Sequence, residues 1–154
     1  MIDLVIEPLQ TSEEVAICAE MMSQTDPWLR LGRGYTTCHD AVSAPGRNVF
    51  VARVAGEVAG CVILNLTGAF VGYIQAVCVH PSQRGKGIGS ALLRFAEEYI
   101  FQRTPNVFLC VSSFNTDAQR LYSRLGYKII GELEDYIIPG ASEILLRKTI
   151  GPLD

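Results

Sequence analysis

Apolar residues recur along the chain with two periods, and the switch between them marks the elements. IDLVIEPL (2–9) is a short apolar-rich run that predicts a strand. Thr11 and Glu14 then offer a reciprocal cap for a helix through VAICAEMM. DPWLRLGRGYTTC (26–38) is interrupted by Pro27, Gly32 and Gly34 and predicts a loop or short helical turns. NVFVARV (48–54) and VAGCVILNL (58–66) flank Ala55-Gly56-Glu57, the punctuation of a hairpin. YIQAVCVHP (73–81) predicts a further strand, ended by Pro81.

From Ile88 the period lengthens. Ile88, Ala91, Leu92, Phe95, Ala96, Tyr99 and Ile100 fall on one stripe of an amphipathic helix. NVFLCVSS (106–113), bounded by Pro105 and Asn115, predicts a buried strand. Thr116 and Gln119 predict a second reciprocal cap, for a short helix with the stripe Ala118, Leu121, Tyr122, Leu125 and Gly126 as its stop. YKIIGEL (127–133) and SEILLRKTI (142–150) predict two final strands. The alternation describes one mixed α/β domain over residues 1–154, with a central sheet of about six to seven strands flanked by about four helices.

Composition narrows the classes. Of 154 residues, 49% are hydrophobic and 19% charged, which suits a chain that buries a core. A net charge of −3 argues against a general nucleic-acid binder, whose footprint is a basic excess. CVIL is stopped by Asn65 and the N-terminus is acidic, so neither a membrane span nor a leader is expected, and the expected location is cytoplasmic. Cys18, Cys38, Cys61, Cys78 and Cys110 are widely spaced and read as reduced, mostly buried thiols. His39 and His80 are too isolated to suggest a metal site.

The chemistry concentrates in Arg84-Gly85-Lys86-Gly87-Ile88-Gly89, placed between a strand and the long helix. A P-loop would need Lys followed by Ser or Thr, but Gly87 follows Lys86; a dinucleotide fingerprint would need glycine where Ser90 stands. What remains is a loop of bare backbone whose N–H groups converge ahead of a helix N-terminus, with Arg84 and Lys86 adding charge. That is an anion site.

AVCVHPSQRGKGIGSALL resembles the acetyl-CoA motif of the GNAT superfamily of N-acetyltransferases, and NTDAQRLYSRLGYKIIG resembles the second motif of that superfamily, in the expected order. The resemblance implies a GNAT-like fold, acetyl-CoA as cosubstrate, and a small-molecule or peptide amine as acceptor. It gives backbone contacts with the pantetheine arm and thioester to Val77, Cys78 and Val79. It gives the pyrophosphate to the amides of Gly85, Lys86, Gly87, Gly89 and Ser90, with Arg84 at the entry. Asn115 matches a position that holds the pantetheine arm, and reads equally as a turn residue. Tyr122 matches the position that protonates the departing thiolate, and also lies on an apolar stripe.

The base and the acceptor pocket stay open at this stage. Tyr73 and Gln75 stand where many relatives carry a carboxylate, leaving Glu132, Glu134, Asp135, His80 or a water chain as candidates. DPWLRLGRGY, with Trp28, Arg30, Arg33 and Tyr35, and EDYIIPGASE (134–143) are the candidate pocket walls. Glu132, Glu134 and Asp135 would suit a cationic amine. Cys78 and Cys110, on apolar strands, read as packing rather than as acyl carriers. The alternative to an enzyme is an acyl-CoA-binding sensor or docking module without turnover. A homodimer through exposed strand edges is compatible with such a sheet.

Overall fold

The computed structural model describes residues 3–154. Its elements are β1 (Leu4–Pro8), α1 (Ser12–Ser23), α2 (Tyr35–Ser43), β2 (Arg47–Val54), β3 (Glu57–Asn65), β4 (Tyr73–Val79), α3 (Ile88–Phe101), β5 (Asn106–Ser112), α4 (Thr116–Arg124), β6 (Lys128–Leu133) and β7 (Glu143–Thr149). Ile2, the first residue of the predicted opening strand, lies outside the described residues. The cap of α1 forms as its sequence requires: the Thr11 hydroxyl accepts from the Glu14 amide at 3.1 Å, and the Glu14 carboxylate accepts from the Thr11 amide at 2.9 Å.

Two elements differ from expectation. Residues 35–43 form a regular helix, α2, which completes the four expected although 26–38 reads locally as a loop or short helical turns; Gly34 starts it and Cys38 and Val42 bury its inner face. At α4, the cap is Asn115 rather than Thr116: Asn115 Oδ1 accepts from the Ala118 amide at 3.3 Å. Gln119 instead turns its side-chain amide back to the carbonyls of Ser112 and Ser113, at 3.2 and 3.0 Å. It thereby ties α4 to the end of β5.

The seven strands form one sheet in the order β1-β2-β3-β4-β5-β7-β6. All pairings are antiparallel except β4 with β5. One face packs on α3, with Ile88, Leu92, Leu93, Ala96 and Ile100 buried, and on the partly buried stripe of α4. The other face packs on α1 and α2 through Cys18, Met21, Met22, Cys38 and Val42. No helix among the described residues is long and apolar enough to cross a membrane.

The parallel pair is what positions the site. β4 and β5 are joined only at Tyr73–Phe108 and Ile74–Leu109, and beyond that they separate. The register of β4 on β3 shows why. Ile63 pairs with Ala76 but Leu64 with Ile74, so Gln75 is an extra residue, a bulge. A bulge bends its strand and reverses which edge the following backbone groups face. At the joined end, Gly72 lets the backbones approach, at φ 96°, with its carbonyl accepting from the Phe108 amide at 3.0 Å.

Candidate active site

Past the bulge, the backbone of β4 is divided between two edges. The His80 amide donates to the Ala59 carbonyl at 2.7 Å, so alternation turns Cys78 toward β3 as well. The Cys78 carbonyl lies against Gly60 of β3 accordingly. Val77 and Val79 face the gap. Of the three residues the resemblance singled out on this strand, Cys78 is therefore directed away by the register.

The gap opens onto a cleft of about 450 Å³ on the α3–α4 face. Val77, Val79, Arg84, Gly85, Gly87, Gly89 and Ser90 line it on one side, and Asn115, Ala118, Leu121 and Tyr122 on the other. Gly87 is the N-cap of α3 in the left-handed conformation, φ 80°, and no side chain caps the helix. The first amides of α3 have no intrahelical acceptor, so they point their N–H groups and the helix dipole outward. Gly85 is also left-handed, at φ 76°, and nothing lies within 4 Å of where its Cβ would stand. These glycines are needed for the path of the chain and not for close packing. Lys86 does not line the cleft with its side chain, which donates to Gln83 Oε1 at 3.1 Å. Uncapped amides, a helix N-terminus and Arg84 make a donor set that fits a phosphate group, with an apolar wall behind it.

A second cavity, of about 270 Å³, lies on the α1–α2 face. Trp28, Arg33 and Cys38 come from the α1–α2 side, Tyr73, Gln75 and Cys110 from the strands, and Glu143 from the start of β7. The two cavities share Pro27, Val77, Asn115 and Tyr122. The sheet is thus perforated at the β4–β5 gap, with Tyr122 at the opening. Burial alone pushes the Tyr122 phenol up to about 12, so it carries its proton at neutral pH. Asn115 both caps α4 through Oδ1 and lines both cavities, which leaves its NH₂ group to face them.

The candidates for a base are rearranged by the fold. Glu132, Glu134 and Asp135 are exposed, and Asp135 is occupied with the Gly140 amide at 2.7 Å. His80 is exposed and caps the turn that follows β4 by accepting from the Ser82 amide at 3.1 Å. None of the four lines either cavity. Two other carboxylates do: Asp26 lines the first cleft, and Glu143, a residue 8% exposed, lines the second and accepts from Ser112 Oγ at 2.6 Å. The one local mark of Glu143 is its place at the head of an apolar strand, in the 134–143 stretch expected to wall the pocket. Its meaning needed the β5–β7 register, which sets Glu143 opposite Ser112.

Other expectations divide. Trp28 lines the second cavity while also packing on the α1–α2 core. Tyr35 is exposed and Arg30 lines the first cleft instead, with its guanidinium 4.5 Å from the Phe114 ring. Cys78 is pushed up to about 12 and Cys110 is raised, in both cases first by burial, so neither thiol is a ready nucleophile. Tyr73 is held protonated by burial and its contact with Cys110.

Comparison with known proteins agrees with this geometry. The family model described as "Acetyltransferase (GNAT) family" matches residues 14–127. N-acetylaspartate synthetase of Xenopus tropicalis is 31% identical over 68% of this chain, a match that spans 39% of that longer protein. N-alpha-acetyltransferase RimI of Mycobacterium tuberculosis is 29% identical over 92% of this chain and 90% of its own length. Among solved structures, an aminoglycoside 6'-N-acetyltransferase complexed with coenzyme A superposes with a TM-score of 0.76. It covers 97% of this chain and 99% of the other at 18% identity, a likeness of fold.

Proposed function

The chain belongs to the GNAT family of acetyltransferases, and from that premise we propose that it transfers an acetyl group from acetyl-CoA to a primary amine by direct attack in a ternary complex. The observation that carries the proposal is the junction of two cavities at Tyr122 and Val77. One has the donors for a pyrophosphate and an apolar wall for a pantetheine arm. The other holds a buried carboxylate suited to an amine.

In this reading the amides of Gly85 through Ser90, with Arg84, hold the pyrophosphate of acetyl-CoA. The backbone of Val77 and Val79 and the NH₂ of Asn115 align the pantetheine. The amine nitrogen attacks the thioester carbonyl carbon from the second cavity, forming the C–N bond. Negative charge grows on the carbonyl oxygen and is met by a backbone N–H of the free β4 edge. The C–S bond then breaks as the Tyr122 hydroxyl gives its proton to the sulfur. The proton lost by nitrogen returns to Tyr122 through water, so the products are the N-acetylated amine and CoA thiol. A phenol of about 12 carries its proton throughout the working pH range but is a weaker acid than an ordinary tyrosine, so its transfer to the sulfur is coupled to the proton returning from the amine.

Thermal unfolding with acetyl-CoA, CoA, ATP and NAD in parallel tests the first half. A ligand at about one hundred times its Kd adds about 2.7 kcal/mol to the folded state. Acetyl-CoA and CoA should raise the midpoint, and ATP and NAD should not. Thiol release in the presence of amines tests the second half. Stabilisation by acetyl-CoA without thiol release from any amine would point to a sensor in place of an enzyme.

A further inference from the structure

The second cavity holds two opposite charges that do not pair. Glu143 is 8% exposed and receives one hydrogen bond, from Ser112. Among the described residues no cationic group stands within 4.0 Å of it. Arg33 lines the same cavity, and its Nε is buried with no hydrogen-bond partner. Among the described residues it too enters no ion pair. A buried carboxylate without a counter-charge is costly, and Arg33, half-buried in the lining of the same cavity, carries a buried N–H donor without an acceptor. Here the fold holds them apart: Glu143 is fixed in the β5–β7 ladder, and Arg33 follows the turns after α1, with its amide donating to the Trp28 carbonyl at 2.9 Å.

Resting on the acetyl-transfer reading above, we propose that the acceptor is a small zwitterion, an amine that also bears a carboxylate, with its ammonium on Glu143 and its acid group on Arg33. The ligand then supplies both missing counter-charges at once. A polyamine or an aminoglycoside brings cations only and leaves Arg33 unpaired against them. Size agrees: the cavity, at about 270 Å³, falls below the roughly 300–1,000 Å³ of pockets that take drug-sized ligands. A guanidinium matches a carboxylate bidentately, which gives discrimination between an acid and its neutral amide.

The test offers the common amino acids and γ-aminobutyrate, each beside its own carboxamide, with spermidine as a purely cationic amine. Turnover is read by thiol release from acetyl-CoA, and binding by calorimetry with CoA present. At least one acid should be preferred over its carboxamide by about ten-fold or more in kcat/KM, as expected when a charged pair is lost. Arg33→Gln should bring that ratio close to one. Glu143→Gln, which keeps an acceptor for Ser112, should raise the KM for the amine about ten-fold or more and leave the KM for acetyl-CoA near its starting value. Equal use of acids and carboxamides, preference for spermidine, or a preference that survives Arg33→Gln overturns the zwitterion site and leaves acetyl transfer standing. Acid-selective binding without thiol release does the reverse.

Discussion

Two pairs of side chains in this protein share a composition and differ in what they face. On the α3–α4 face, Glu97 of α3 is 8% exposed and fully engaged. Lys148 Nζ lies 3.0 and 2.9 Å from its two oxygens, and the Tyr127 hydroxyl donates to it at 3.2 Å. At the gap between β4 and β5, Glu143 has the same exposure and one neutral donor, and Tyr122 opens on both cavities. The two tyrosines even touch, with ring centroids 5.8 Å apart. Burial raises both phenols, but only Tyr127 is raised further by a carboxylate at its hydroxyl. Burial therefore does not separate the proposed proton donor, Tyr122, from the structural Tyr127. The distinction is whether the buried group already has its partner.

Tyr122→Phe is the severest test of that distinction. It removes a proton donor aimed at open space, so kcat should fall by about 10²–10⁴, the range for a general acid. The melting temperature should hold, because no protein partner is lost. The same reading fixes a pH profile. Tyr122 must be protonated to act, and with a phenol at about 12 it remains so across the ordinary assay range. Activity should rise with pH as the amine loses its proton, with no decline assignable to Tyr122 below about pH 11. A wild-type decline centred near pH 9 that vanishes in Tyr122→Phe would show that the phenol is not held up.

Lys148→Met probes the other pair and should exchange the two readouts. It keeps the aliphatic stem and leaves Glu97 as a charge with only a phenol for company. Breaking such a pair from one side costs about 3 kcal/mol, to be read from denaturant midpoints. Lys148 is 29% exposed at its side chain, which puts the cost toward the lower end of the range for buried pairs. The KM for the amine should not move. Glu143→Gln, in contrast, should unfold at the wild-type midpoint or slightly above it, since it removes a charge that the folded chain leaves unpaired.

The sequence made one of these regions far more legible than the other. The anion-binding end of the cleft on the α3 side comes from one short stretch, 84–90, at the start of one helix, so local spacing suffices to find it. The strand order of residues, the Thr11 cap and the stripe of α3 are local in the same sense. The second cavity is assembled from the turns after α1, from α2, β4, β5, α4 and β7, and its key carboxylate is 31 residues from the serine that holds it. The stretch 134–143 is visible as a pocket wall, and Tyr136, Ile137 and Glu143 do line the cavity, but nothing local singles out Glu143 within it, whereas Glu132, Glu134 and Asp135 cluster visibly and prove to be exposed. The bulge at Gln75 was equally hidden: it exists only in the register of β4 on β3, yet it decides that Val77 and Val79, and not Cys78, face the gap. Asn115 shows the intermediate case. Its position before a helix was plain, but that it would cap α4 itself depended on Gln119 being drawn away to β5.

The smallest expected effect is the most discriminating, because it separates two tyrosines in contact. Tyr127→Phe deletes the hydroxyl that donates to Glu97 and touches neither of the two cavities that meet at Tyr122. Lys148 still neutralises Glu97 from both oxygens, so the loss is that of one buried hydrogen bond, about 1 kcal/mol in stability. Tyr122 keeps its backbone, since the Tyr127 amide still donates to the Tyr122 carbonyl at 3.0 Å, and keeps the ring it packs against. Turnover should therefore stay within about two-fold of wild type, against a fall of at least about 10² for the same hydroxyl deletion five residues earlier in the chain. Equal losses of turnover in the two variants would mean that the tyrosines act as one unit, and that partnered burial does not exempt a side chain from the chemistry.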